Sequence, residues 1–314
     1  MTAVAIVIAI FGAGAIITFV GARLIERRHL PRGRFIDVGG FHQHVVELTS
    51  GTANTNGFPV VLLHGAGSNL QDMELALGEH LAGRHRVILV DRPGLGFSAR
   101  KIGEGESPAF QAAVLRGVLD QLAVDRAIVV GHSWGGTLAL AFALDFPQRA
   151  AGLVLVAAPT HPGVWRMNWL NKLLAGPLGW LFARTLALPF GAVLIGPGSR
   201  TAFQPQSFPQ NYVKRSASML VLRPQSLMAN WADVGILESF LEQQAERYSL
   251  LAAPTIALTG DRDRLVPPSS HAEKLAVAAP HVRVVVLPGF GHMLHHAAAD
   301  RVAAAVDEIA AQAR

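Results

Sequence analysis

No cysteine occurs in the 314 residues, which excludes disulfides, thiolate catalysis and thiolate-bound metals. Charge is scarce too. Only 16% of residues are charged against 51% apolar, so there is ample surface to bury and disorder is excluded. Acidic side chains fall short of basic ones, leaving a formal net charge of +5 carried almost wholly by arginine. Those arginines are scattered along the chain except near the N-terminus, which argues against a nucleic-acid partner. Between Thr2 and Ala22 there is no charged residue at all.

At 1.5 Å per residue, roughly 20 apolar residues span a bilayer core of about 30 Å. The run 2–22 therefore reads as a membrane anchor, with residues 1–24 as the anchor and 25–33 as a basic linker. A cleaved signal peptide, with Val20-Gly21-Ala22 as its cleavage site, is the alternative, although it would want basic residues before a shorter apolar core. A buried core helix, apolar all round, is the third reading. Arg23, Arg27, Arg28, Arg32 and Arg34 follow the span and no basic residue precedes it, which places the remainder on the cytoplasmic side. Small residues at Ala5, Ala9 and Ala13, and at Gly14, Thr18 and Ala22, recur every four positions, a spacing that permits a homodimer through this helix. All chemistry-bearing motifs lie beyond residue 60, so the folded core is expected to stand without the span.

After Pro31 the pattern becomes globular. Arg34–Val38, Gly39-Gly40 and Phe41–Leu48 read as a hairpin. Strands are expected at Val60–Leu63, Val87–Val90, Ala127–Val130, Gly152–Val156, Thr255–Leu258 and Val282–Leu287. Helices are expected at about 71–82, 108–122, 136–146, 269–277 and 301–312. Continuous β-branched strands alternating with helices imply an α/β fold, a mostly parallel sheet covered on both faces. The stretch 160–246, rich in Pro and Trp, breaks this alternation and reads as a helical insertion between two parts of the core, 34–159 and 247–314.

Gly131-His132-Ser133-Trp134-Gly135 stands between a β-branched run and an Ala/Leu-rich helix, the context of a G-x-S-x-G nucleophile elbow with Ser133 as nucleophile. The alternative is a structural serine. Upstream, Leu63-His64-Gly65-Ala66-Gly67 leaves a strand for a glycine-containing turn. The N–H groups of Ala66 and of Trp134 could face a developing oxyanion. His64 reads as a packing residue of that turn. A serine needs a base, and the base an anion that fixes its tautomer. Gly289-Phe290-Gly291-His292 follows the last strand and makes His292 the base; Asp261 and Asp263, in Gly260-Asp261-Arg262-Asp263-Arg264, are both candidates for the acid. His292, His295 and His296 have a spacing that could suggest a metal site. No carboxylate pattern stands nearby, so His295 and His296 are expected on a helix surface, with no metal and no cofactor.

These motifs, with Asp91-Arg92-Pro93-Gly94-Leu95-Gly96-Phe97-Ser98, occur in an order that resembles the α/β-hydrolase superfamily across 34–314. In similar proteins the acid stands three residues after the glycine of a G-x-x-D-x-x-x-P stretch, which implies Asp263. The resemblance also implies a cap inserted after the sixth strand, where 160–246 falls. Two features set limits. Alanines occupy 297–299, where many relatives carry a glutamate, and Ser133 argues against the epoxide hydrolases and haloalkane dehalogenases, which have aspartate at the elbow.

Three functions compete. The first is a carboxylesterase or lipase acting on a small-molecule or lipid ester, without cofactor. The second is a C–C bond hydrolase or other Ser-triad enzyme, the third a membrane-tethered, non-catalytic binding module. Trp165, Trp169 and Trp180 head an apolar crowd in the insertion, and are read as lining an acyl tunnel or touching membrane lipid.

Overall fold

The structure, a computed structural model, describes residues 2–49, 57–101, 105–163 and 168–313. Its centre is an 8-stranded sheet in the order β1-β2-β4-β3-β5-β6-β7-β8. β1 (Arg34–Val38) and β2 (Phe41–Leu48) form the expected antiparallel hairpin, and β2 joins β4 antiparallel. The remaining strands run parallel: β3 (Val60–Leu63), β4 (Val87–Val90), β5 (Ala127–His132), β6 (Ala150–Val156), β7 (Thr255–Gly260) and β8 (Arg283–Leu287). Every residue of β3 to β7 is buried, which is why these strands read as unbroken apolar runs rather than alternating ones.

The chain opens on α1 (Thr2–Arg28). On one face of the sheet lie α2 (Leu70–Met73), a π turn at Glu74–Gly78 and α3 (Glu79–Ala82), which continue one another. On the other lie α4 (Pro108–Gln121), capped by Ser107 Oγ accepting from Phe110 N, and α5 (Trp134–Asp145). Between β6 and β7 come α6 (Asn168–Leu174), α7 (Pro177–Thr185), α8 (Ala187–Phe203), α9 (Tyr212–Arg215) and α10 (Pro224–Ala245). α11 (Ala272–Ala278), α12 (Leu294–Ala297) and α13 (Ala299–Gln312) complete the chain. The two sides of the sheet bury separate cores. Leu119, Leu138 and Phe142 belong to one, and Leu70, Leu77, Val302 and Val306 to the other.

The N-terminal segment differs from its expectation in three respects. α1 runs on to Arg28, through the start of the expected linker. It is also docked. Thr18 Oγ1 donates to the Thr185 carbonyl at 2.8 Å, Ile25 joins a buried cluster with Leu188, Leu220 and Leu222, and Glu26 pairs with Arg223 at 3.2 Å. These partners all lie between β6 and β7, and α1 contributes to neither of the two core clusters on the sheet. Finally, a Cβ on Gly14 would fall 2.8 Å from the Thr185 carbonyl oxygen. The small-residue face at Gly14 and Thr18 serves a contact within the chain, not one reserved for a second copy.

Candidate active site

The C-terminal ends of β3, β5, β7 and β8 gather the candidate residues. Ser133 sits on the turn from β5 into α5 at φ +50°, in the left-handed region that a non-glycine residue adopts only when its surroundings hold it there. Those surroundings leave no room for side chains. A Cβ on Gly131 would fall 2.3 Å from the Gly135 carbonyl oxygen, and one on Gly135 would fall 2.4 Å from that of Leu63.

His292 Nε2 lies 3.1 Å from Ser133 Oγ, and His292 Nδ1 lies 2.8 Å from Asp263 Oδ2. A carboxylate only accepts, so Nδ1 carries the proton and Nε2 faces the hydroxyl with its lone pair. Both His292 and Asp263 are buried. The other Asp263 oxygen accepts the N–H groups of Leu265 and Val266, each at 2.9 Å. Asp261 instead accepts from the Gly289 N–H at 2.6 Å and stands 4.0 Å from Arg262, half-exposed and away from the imidazole. Backbone amides, rather than the flanking arginines, hold the Asp263 carboxylate.

The turn at 64–67 passes directly beside the serine: a Cβ on Gly65 would fall 3.2 Å from Ser133 Cβ. Gly67 N–H is taken by Asn230 Oδ1 at 2.6 Å, whereas the amides of Ala66 and Trp134 donate to no acceptor among the described residues. His64 is fully buried. Its Nε2 accepts the Arg92 N–H at 3.0 Å, and burial pushes its pKa down to about 4, so it serves the turn as a neutral packing group. Arg92 itself had no assigned role in the sequence. Its buried guanidinium donates to the carbonyls of His64 and Gly65 at 3.0 and 3.1 Å and to Asp233 at 2.7 Å, and lies 3.9 Å over the Trp134 ring. One cation thereby fixes the turn, α10 and the residue after the serine.

His295 and His296 are not surface residues. His295 is fully buried, and both direct Nε2 at Asp72 of α2, at 3.0 and 2.7 Å; Tyr212 O–H donates to the same carboxylate at 2.7 Å. The nearby carboxylate that the sequence did not show is thus present in space. Burial works against the Asp72 charge, but the two histidines more than offset it and hold its carboxyl well below the usual range. The three donor atoms lie within 4.8 Å of one another, a spacing a cation could bridge, yet three hydrogen bonds already satisfy this carboxylate. His132 packs 3.8 Å from the His295 ring and donates Nε2–H to the His292 carbonyl at 3.2 Å, tying this network to the back of His292.

Burial pushes His64, His271 and His295 each down from an ordinary value of 6.5 to about 4. Below pH 6.5 the unfolded chain binds protons that the folded chain refuses. Stability is therefore complete above pH 6.5 and lost as pH falls from 6.5 to 4, at about 1.4 kcal/mol per pH unit for each histidine. Denaturant unfolding at pH 7, 5.5 and 4.5 should show a steep decline; a flat profile would mean these rings accept protons in place.

A cavity of about 890 Å³ reaches His292 and is lined by Thr201, Gln204, Arg262, Arg264 and Leu265. Trp169 and Trp180 do not line it. Both are exposed on α6 and α7, because small Gly179 and Ala183 take the buried face of α7; Trp165 lies outside the described residues.

Residues 59–299 match the model of the alpha/beta hydrolase fold family. A dihydrolipoyllysine-residue acetyltransferase component of the acetoin cleaving system of Pseudomonas putida is 29% identical over 288 residues, covering 87% of this chain and 67% of that protein. A 2-hydroxy-6-oxononadienedioate/2-hydroxy-6-oxononatrienedioate hydrolase of Cupriavidus pinatubonensis is 30% identical over 242 residues, covering 74% of this chain and 80% of that protein. Among solved structures, a thermophilic esterase from Thermogutta terrifontis superposes with a TM-score of 0.71 at 23% identity, covering 90% of this chain and 99% of the other.

Proposed function

We propose that this chain, which belongs to the α/β-hydrolase family, transfers an acyl group from its substrate to Ser133 and then to water. One observation carries the reading: Ser133, His292 and Asp263 form an unbroken hydrogen-bonded line, at 3.1 and 2.8 Å, on a strained turn. His292 takes the Ser133 proton as Oγ adds to a carbonyl carbon, and Asp263 stabilises the imidazolium that results. The Ala66 and Trp134 amides stabilise the oxyanion, each contributing about 2.7–4 kcal/mol by analogy with other such donors. His292 then returns the proton to the leaving group, and water releases the acyl group by the same route in reverse. The complete set of three speaks against a non-catalytic binding module.

For the bond broken, carbon–carbon cleavage comes first. The dienedioate named for the Cupriavidus pinatubonensis relative contains no ester, so its hydrolysis must break a carbon–carbon bond beside the oxo group. Arg262 and Arg264 at the cavity that reaches His292 suit the carboxylate of such an acidic ketone. The substrate would first ketonise, its 2-hydroxyl proton moving to the carbon beside the 6-oxo group. The Ser133 hydroxyl would then add to the 6-oxo carbon, and the neighbouring carbon would leave as a dienolate conjugated with the 2-oxo group and take the proton from His292. An ester of an apolar acid is the second reading, favoured by the exposed apolar side chains of α7 and α8. In either case α1 is taken as a membrane anchor with the catalytic part on the cytoplasmic side.

A 2-hydroxy-6-oxodienoate and p-nitrophenyl butyrate, supplied separately, distinguish the two. Carbon–carbon cleavage predicts kcat/KM for the dienoate at least about tenfold above that for the ester. The reverse ranking would replace it with the ester reading, and turnover of neither would remove both.

A further inference from the structure

We infer that α7 and α8 enter a lipid bilayer beside α1, as a bent pair embedded in one leaflet, and do not stand in water as a lid. The inference rests on α1 entering a bilayer but not on which bond is cleaved. α1 carries no charge before Arg23 and is long enough to cross a membrane. Its contacts then fix the depth of whatever packs on it. Gly14, Thr18 and Gly21 share one helix face, and they meet Thr185, Leu186 and Leu188 at the junction of α7 with α8. At about 1.5 Å per residue, Gly14 lies roughly 13 Å below Arg23, near the middle of a bilayer. Residues seated against Gly14 cannot remain in water if α1 spans.

The α7–α8 pair has what lipid demands of it. Leu178, Leu181, Phe190, Val193 and Leu194 are exposed, Val193 by 74%. The two helices meet at 79°, a break that would ordinarily leave backbone groups bare in hydrocarbon. Here several of them are satisfied. Leu186 N donates to the Phe182 carbonyl at 3.0 Å, Phe190 N to that of Leu186 at 3.2 Å, and the Thr185 carbonyl accepts from Thr18 Oγ1 at 2.8 Å. Arg184, the one charged residue from Pro177 to Ser199, sets its guanidinium 4.2 Å over the Trp180 ring, with Nη1 buried and without a hydrogen-bond partner among the described residues. The far end of α8 supplies Gly198, Thr201 and Ala202 to the cavity at His292, so that cavity begins one helical turn beyond Leu194 and faces the membrane boundary. An amphiphile could pass from the leaflet to His292 along α8.

The absence of cysteine makes the test direct. Leu178→Cys, Val193→Cys, Ile8→Cys and Val277→Cys full-length proteins are labelled with an environment-sensitive nitrobenzoxadiazole dye in phosphatidylcholine vesicles. The rate of quenching by aqueous dithionite is then read. Val277, 83% exposed on α11, is the water-facing control. Labels at 178 and 193 should be quenched at least about tenfold more slowly than at 277, and comparably to the α1 label. Quenching at 178 and 193 as fast as at 277, with the α1 label protected, would overturn the inference; so would fast quenching of all four, since α1 would then lie outside the bilayer. None of these positions touches Ser133, His292 or Asp263, so turnover measured in the same samples reports separately on the reaction.

Discussion

Replacing Ser133 by alanine is expected to lower kcat by roughly 10⁴- to 10⁶-fold, and His292→Ala to lower it by a similar factor. The two losses are similar, not additive, because the hydroxyl and the base act as a unit: without the imidazole lone pair 3.1 Å away, the hydroxyl is a poor nucleophile. The double variant should fall little further than either single one. The residual rate would come from the Ala66 and Trp134 amides and from substrate binding. Steady-state kinetics on the preferred substrate checks this. Turnover within tenfold of the parent in folded Ser133→Ala protein would leave the mechanism without its nucleophile.

The second large effect separates the two aspartates. Asp263→Asn should cost about 10⁴-fold in kcat while leaving the fold intact, by analogy with the same change in other triads. The carboxylate oxygen facing His292 Nδ1 at 2.8 Å only accepts, whereas an amide nitrogen there would donate and leave the proton on Nε2. Nε2 could then no longer receive the serine proton. Asp261→Asn keeps an oxygen that can accept the Gly289 N–H and removes only a surface charge near Arg262, and should cost less than about tenfold. Comparison of kcat for the two variants gives the ranking, and the reverse order would move the acid to Asp261.

The sheet and the elbow were legible because their signals are local. A strand that ends in a glycine turn and a helix that begins on the next residue lie within a dozen positions. The continuous burial of β3 to β7 leaves an equally continuous apolar run. Whether Asp261 or Asp263 faces the histidine is likewise a loop-scale matter, but it turns on side-chain direction, which the residues leave open until the resemblance implies Asp263. Contacts between distant segments were not legible. His295 looked like a surface residue because its partner Asp72 is 223 positions away, and the role of Arg92 depends on Asp233, 141 positions away. Of the two roles read for the tryptophans, lining the cavity fails for Trp169 and Trp180 for a different reason, while their exposure leaves contact with lipid standing. Composition marks an apolar segment without saying which face is covered, and Gly179 and Ala183, not Trp180, take the buried side of α7. The small-residue spacing of α1 was visible, but its use against Thr185 was not.

The central claim is that Ser133 carries the acyl group between substrate and water, and the most direct measurement is the mass of that residue during turnover. Protein quenched in acid after mixing with excess substrate, then digested and analysed by mass spectrometry, should show the peptide containing Ser133 heavier by the acyl group. No acyl adduct should appear in the Ser133→Ala protein. Sustained turnover with that peptide unmodified, or with the acyl group on another residue, would contradict the account.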